Sequence, residues 1–231
     1  MLKPRRGNKA DKHAIVHYFE ELGFTIRVFE EMEMYQIEAI LKMYAKDQSS
    51  SYDLLLCFFL THGFSDLLCA KDQAYRLKMI FEPFLPQNCE KFVGVPKLFI
   101  INACRGRDYD KGNDVQFDAP GVPIDIPEDD DFLVAMSSTP GFKTLRHSIF
   151  GSFYIKYLIK TLRKSRAENV NEDIHSILTT VQRKIAFKIH FTNKQVAMSD
   201  EERKKYNRLK QMPIFFSTLR DKLSINRNYK H

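Results

Sequence analysis

The sequence predicts an α/β fold, with a mostly parallel central sheet flanked by helices. Three observations carry this. Short apolar runs at residues 52–60, 97–102 and 132–137 are rich in Leu, Ile and Phe and have strand length. Amphipathic segments alternate with such runs, which makes a parallel sheet with right-handed crossovers the default architecture. Finally, 231 residues with 44% hydrophobic and 28% charged composition suffice for one generous domain spanning 1–231.

Taken in order, residues 10–22 place Ile15, Phe19 and Leu22 on one helical stripe that Gly23 ends. Residues 24–29 read as a strand. Met34, Ile37, Ile40, Leu41 and Tyr44 mark a second helix, closed by the polar turn 46–51. The unbroken run 52–60 suits a central parallel strand covered on both faces, and it ends in Thr61-His62-Gly63. A third helix is expected over 74–84, followed by the strand that opens at Lys97 and stops abruptly at Asn102-Ala103-Cys104-Arg105-Gly106. Residues 105–130 change character, accumulating Asp, Gly, Pro and Asn as a linker does. Regular structure resumes with a strand at 132–137. Ser148 is expected to cap a helix bearing Phe150, Phe153, Tyr157 and Leu158; Asn171 is expected to cap another bearing Ile174, Ile177, Leu178, Val181 and Ile185. A long polar loop over 189–210 precedes a last strand at 212–219.

The chemistry gathers where strands end. In an open α/β sheet a site forms outside the carboxyl ends of the strands. Strands ending at His62 and Cys104 point the same way, so as neighbours they bring both side chains to one sheet edge. A lone cysteine is more often inert core. A cysteine beside an imidazole is different, because the imidazole supplies or stabilises thiolate. Backbone N–H groups of Gly63 and Cys104 are candidate donors to a tetrahedral oxyanion.

These residues carry a resemblance. Asn102-Ala103-Cys104-Arg105-Gly106 is similar to the Gln-Ala-Cys-Arg-Gly signature of caspases, and Thr61-His62-Gly63 resembles the family's Ser-His-Gly. Ile126-Pro127 before Asp131-Phe132-Leu133, then Ser138-Thr139-Pro140-Gly141-Phe142, Arg146 with Gly151-Ser152-Phe153, and Gln211-Met212-Pro213 extend the likeness across the chain. The resemblance implies a caspase-like three-layer sandwich and an effector-type cysteine endopeptidase cutting after aspartate. Cys104 would attack the scissile carbonyl and His62 would serve the leaving amine. Gly63 and Cys104 would hold the oxyanion, and the backbone carbonyl of Lys3 would orient the imidazole. Arg5, Arg146 and Asn102 would grip the P1 carboxylate, since paired guanidinium forks bind carboxylates and reject basic side chains. Leu145 stands where the family has a Trp lining S2, and Asn102 replaces a Gln one methylene longer.

By the same resemblance, the chain is a zymogen with a large subunit over about 1–118 and a small one over about 119–231. It is cut in the 105–130 linker at Asp118, with Asp114 second. The active form would be a homodimer, joined through the 212–219 strand, acting in apoptosis. A reading of another class is a weak or inactive paralogue that regulates a complete caspase by heterodimerisation. The family also has a strand ahead of the arginine matching Arg5; this chain starts too late to hold it, leaving 24–29 short of a pairing partner, and no prodomain is expected.

Composition narrows the partners. The net charge of +7 is diffuse, and the basic cluster at 203–210 follows Asp200-Glu201-Glu202 without a recognition motif, so no nucleic-acid partner is expected. No run reaches ~18 apolar residues, so no membrane partner is expected either. Cys57, Cys69, Cys89 and Cys104 lack paired short spacing, which points to a reducing, cytoplasmic setting. His13 and His17 lie one helical turn apart, but without a third ligand they read as surface residues. No metal and no organic cofactor is implied.

Overall fold

The computed structural model describes residues 5, 7–47, 51–64, 66–105, 126–139, 142, 144–147, 149–188 and 211–225. Four strands build the main sheet: β1 (Leu55–Leu60), β5 (Lys97–Asn102), β6 (Phe132–Met136) and β9 (Ile214–Ser217), in the order β1-β5-β6-β9. The first three run parallel and β9 is antiparallel to β6. The mostly parallel sheet expected from the alternation of helices and apolar runs is therefore present.

Side-chain alternation along β5 explains the layering. Leu98 and Ile100 face one apolar cluster, Phe99 and Ile101 the other. Strand β6 does the same, with Leu133 and Ala135 on the first side and Phe132, Val134 and Met136 on the second. Helices α1 (Asn8–Glu20), α3 (Phe153–Ala167) and α4 (Ile174–Lys188) cover the first face, supplying Ile15, Phe19, Ile155, Leu158, Ile177 and Val181. Helix α2 (Met34–Lys46) and short 3₁₀ turns around Ile80, Phe84 and Phe92 cover the second. Both faces of β5 and β6 are buried along their whole length, as their unbroken apolar runs require.

Several local expectations are corrected. Residues 74–84 are not a helix. Strand β4 (Ala74–Arg76) pairs with β3 (Leu67–Cys69), which itself pairs with β2 (Gly63–Phe64), and 3₁₀ turns follow. Pro83 has no N–H to donate and breaks any continuous helix there, while Tyr75 is buried in the strand pair opposite Leu68. Residues 24–29 form no strand: only Phe24 and Ile26 turn inward, and among the described residues β1 pairs with β5 alone. A strand is stable only as part of a ladder, and among the described residues none pairs with this segment. For the same reason β1 is an edge strand with half-buried residues, not the central strand that its apolar run predicted.

The helix caps also shift. Ser148 lies outside the described residues, and the cap of α3 is Ser152, whose Oγ accepts from the Ile155 N–H at 3.2 Å. Asp173, not Asn171, caps α4: its Oδ1 accepts from the N–H groups of His175 and Ser176 at 2.9 and 3.2 Å.

Candidate active site

Strand register decides the first part of the geometry. Leu60 of β1 pairs with Asn102 of β5, where both strands end, and His62 and Cys104 each follow two residues beyond that pair. Both residues therefore leave the carboxyl edge of the sheet side by side. Gly63 sits against the same loop, where a Cβ would lie 2.9 Å from the Cys104 carbonyl oxygen, 2.7 Å from that of Leu67 and 3.2 Å from the Ala103 Cβ. Only a glycine lets these backbones approach so closely.

The Cys104 loop is held from the β6 side. The Ala103 carbonyl accepts from Thr144 Oγ1 at 2.9 Å and Ser137 Oγ at 3.2 Å, and the Arg105 N–H donates to the Phe142 carbonyl at 2.9 Å. Gln211 ties the next layer, accepting from the Leu145 N–H at 2.9 Å and donating to the Ser137 carbonyl at 2.6 Å. Leu145 itself is buried in the first apolar cluster.

Two guanidiniums converge here. Arg146 lies on β7 (Arg146–His147), opposite Ser152 of β8 (Gly151–Ser152). Arg5 precedes α1 and reaches the end of β5, where its Nη2 donates to the Asn102 carbonyl at 2.8 Å. Burial, and then the neighbouring Arg146, push the Arg5 pKa down; burial pushes that of Arg146 down. Cys104 and Asp11 act on both arginines in the opposite sense, which sets all four groups in one electrostatic neighbourhood. Arg5 Nε and Nη1 are buried and meet no acceptor among the described residues. A buried cation with unused donors is costly unless an anion completes it.

Asn102 is fully buried. Its Nδ2 donates to Ser152 Oγ at 2.9 Å and to Asp11 Oδ2 at 3.4 Å. Asp11 Oδ1 accepts from the Ser152 N–H at 2.8 Å. Sequence reasoning missed Asp11, although a signal existed: it falls on the same helical stripe as Ile15, Phe19 and Leu22, where a carboxylate is out of place.

Lys3, Asp114 and Asp118 lie outside the described residues, as do the 189–210 loop and most of the 105–130 linker. His13 and His17 are exposed, and among the described residues no cluster of metal-ligating side chains occurs. An open groove of about 540 Å³ lies elsewhere, over one face of β6 and β9 beside Ile126, Phe132 and Phe216.

A family model for the caspase domain matches residues 1–224. The chain belongs to the caspase family. Caspases are cysteine-type endopeptidases, and this caspase is accordingly a hydrolase of that type. It is 31% identical to Caspase-1 of Spodoptera frugiperda over 234 residues, covering 100% of this chain and 75% of that protein. It is 29% identical to Caspase-6 of Gallus gallus over 238 residues, covering 96% and 74% respectively. The crystal structure of Caspase-1 from Spodoptera frugiperda superposes with a TM-score of 0.83 at 29% identity, covering all of this chain and 85% of that one. The three-layer caspase sandwich expected from the motifs is thereby shown. Among the described residues no helix is long and apolar enough to cross a membrane.

Proposed function

We propose that this caspase hydrolyses peptide bonds on the carboxyl side of aspartate, with Cys104 as nucleophile. The observation that carries the reading is the pair of half-buried guanidiniums, Arg5 and Arg146, in the electrostatic neighbourhood of Cys104, with Arg5 Nε and Nη1 meeting no acceptor among the described residues. Planar forks of that kind suit a carboxylate side chain. The Cys104 thiol gives its proton to His62 as the sulfur bonds to the scissile carbonyl carbon, and the carbonyl oxygen takes the negative charge between the N–H groups of Gly63 and Cys104. His62 gives a proton to the departing amine as the C–N bond breaks. It then takes one from water, whose oxygen displaces the sulfur and releases the acid. The Lys3 carbonyl is assigned to orient His62, and Leu145 to the wall of S2.

The zymogen is cut at Asp118, with Asp114 as the second site, dividing the single domain into its two subunits. Dimerisation through β9 is supported by that strand's outer position in the sheet and by exposed Met212 and Phe216 beside and on it. Homodimers acting on cytoplasmic protein substrates in apoptosis are the setting this reading implies.

A fluoromethyl ketone peptide with P1 aspartate tests it. Stoichiometric labelling of Cys104, seen by mass spectrometry and lost in the Cys104→Ala variant, is the expected result. Folded protein that stays unlabelled and cleaves no P1-aspartate peptide overturns the reading.

A further inference from the structure

We propose that Asp11 is a positioning residue of the P1 pocket, holding the Asn102 amide turned away from the substrate and offsetting one of the two arginine charges. This rests on the reading of Arg5 and Arg146 as the P1 grip. Asp11 is 2% exposed and Ser152 and Asn102 are fully buried, so the three form a closed set beneath the arginines.

The amide orientation follows from donors and acceptors. Both Asn102 Nδ2 hydrogens are committed, one to Ser152 Oγ and one to Asp11 Oδ2. Turning the amide over would set Asn102 Oδ1 against the Asp11 carboxylate, acceptor against acceptor. The carboxylate therefore keeps the donor side on itself. Asn102 Oδ1 finds no donor among the described residues, and as an acceptor it has nothing to offer a P1 carboxylate. Recognition of that carboxylate then falls to Arg5 and Arg146 alone.

Charge gives the second part. Two guanidiniums and one carboxylate leave a single net positive charge, which one P1 carboxylate neutralises. Gly151 shows how tightly Asp11 is seated: at φ +81°, it approaches so closely that an added Cβ would overlap Asp11 Oδ1. Helix α1, strand β8 and the end of β5 thus meet on this one side chain.

Asp11→Asn tests the assignment, because the amide keeps an oxygen for the Ser152 N–H while its nitrogen demands an acceptor from Asn102. The Asn102 amide turns over, its Nδ2 faces the pocket, and the pocket gains one net positive charge. The expected result is a KM for a P1-aspartate peptide lower by at least about fivefold, with kcat within about twofold and KM for the neutral P1-asparagine peptide unchanged. An unchanged or raised KM in a variant that melts like the wild type overturns the proposal. The wild type crystallised with a P1-aspartate peptide aldehyde, captured by the Cys104 sulfur as a hemithioacetal, decides the matter should the variant fail to fold. Asn102 held on Asp11 and Ser152 supports it, and an Asn102 nitrogen within about 3.2 Å of the P1 carboxylate overturns it. Wild-type protein that neither cleaves the peptide nor takes up the aldehyde overturns the functional reading itself and this proposal with it. Turnover by the wild type with unaltered KM in Asp11→Asn overturns this proposal alone.

Discussion

The two ends of strand β5 each hold a cation, and they hold it differently. At the amino end, the Lys97 Nζ donates to the carbonyls of Phe92 and Val95, both at 2.8 Å, and lies 4.8 Å from the centre of the Phe132 ring. At the carboxyl end, Arg5 makes one hydrogen bond to the Asn102 carbonyl and leaves Nε and Nη1 without an acceptor among the described residues. A buried cation supplied with partners braces the fold. On the proposed function, one left short of them serves a ligand, because an arriving anion offsets the cost of its unused donors.

The carboxylates at the two ends differ in the same way. Near Lys97, Asp131 binds the Arg220 guanidinium through both oxygens, and that hydrogen bonding holds its pKa below the ordinary value. Near Arg5, burial pushes the Asp11 pKa up, against the hydrogen bonds from Ser152 and the charges of Arg5 and Arg146. One end is balanced for the folded state itself; the other is not.

The largest effects should come from the carboxyl end. Cys104→Ala is expected to lower kcat by about 10⁴-fold or more, read from hydrolysis of a P1-aspartate coumarin peptide, with melting temperature retained. Arg5→Ala should lower kcat/KM on the same peptide by about 100-fold or more, since it removes a charged partner from a desolvated site. Its melting temperature should hold or rise, because two buried guanidinium nitrogens without acceptors among the described residues leave with it. A clear loss of stability in Arg5→Ala would erase the distinction between the two ends.

Lys97→Met is the mirror experiment. It should cost about 1–3 kcal/mol in urea unfolding, chiefly because the Val95 carbonyl loses its donor, while kcat/KM changes by less than about twofold. Gly151→Ala belongs to both categories. A β-carbon at positive φ collides with Asp11, so a stability loss of about 2 kcal/mol should accompany a changed KM.

The smallest effect is in the pH dependence of stability, and its sign differs between the ends. Asp131 has a lowered folded pKa, so the stability it contributes is present above its unfolded pKa and is lost as pH falls through the folded value. Asp11 has a raised folded pKa, so its contribution is present below the unfolded value and is lost as pH rises through the folded one. Unfolding free energies measured from pH 3 upward should therefore show Asp131→Asn losing ground to the wild type as pH rises, and Asp11→Asn gaining ground. Parallel curves for the two variants would contradict the assignment.

Much of this was legible from local pattern. The strands at Lys97 and Phe132 follow from unbroken apolar runs, and the arrival of His62 and Cys104 at one sheet edge follows from two strands ending at a matched register. The stretch at 74–84 was not, because its helical spacing competes with Pro83 and with the pairing of Tyr75 opposite Leu68, a contact that spacing cannot express. The edge position of β1 was equally hidden. An apolar run reports burial by its surroundings and says nothing about whether a second strand lies alongside.

By itself, then, the sequence determined the alternation of helices and strands, the two-faced burial of β5 and β6, and the delivery of a cysteine and a histidine to one edge. These depend on periodicities of a few residues, which side-chain order records directly. Only the tertiary structure decided that Asp11 of the first helix meets Asn102 and Ser152, residues 91 and 141 positions away, beneath two arginines. That meeting depends on how α1 docks against β8 and the end of β5, which is set by packing across the whole domain and leaves no local trace beyond one carboxylate on an apolar stripe.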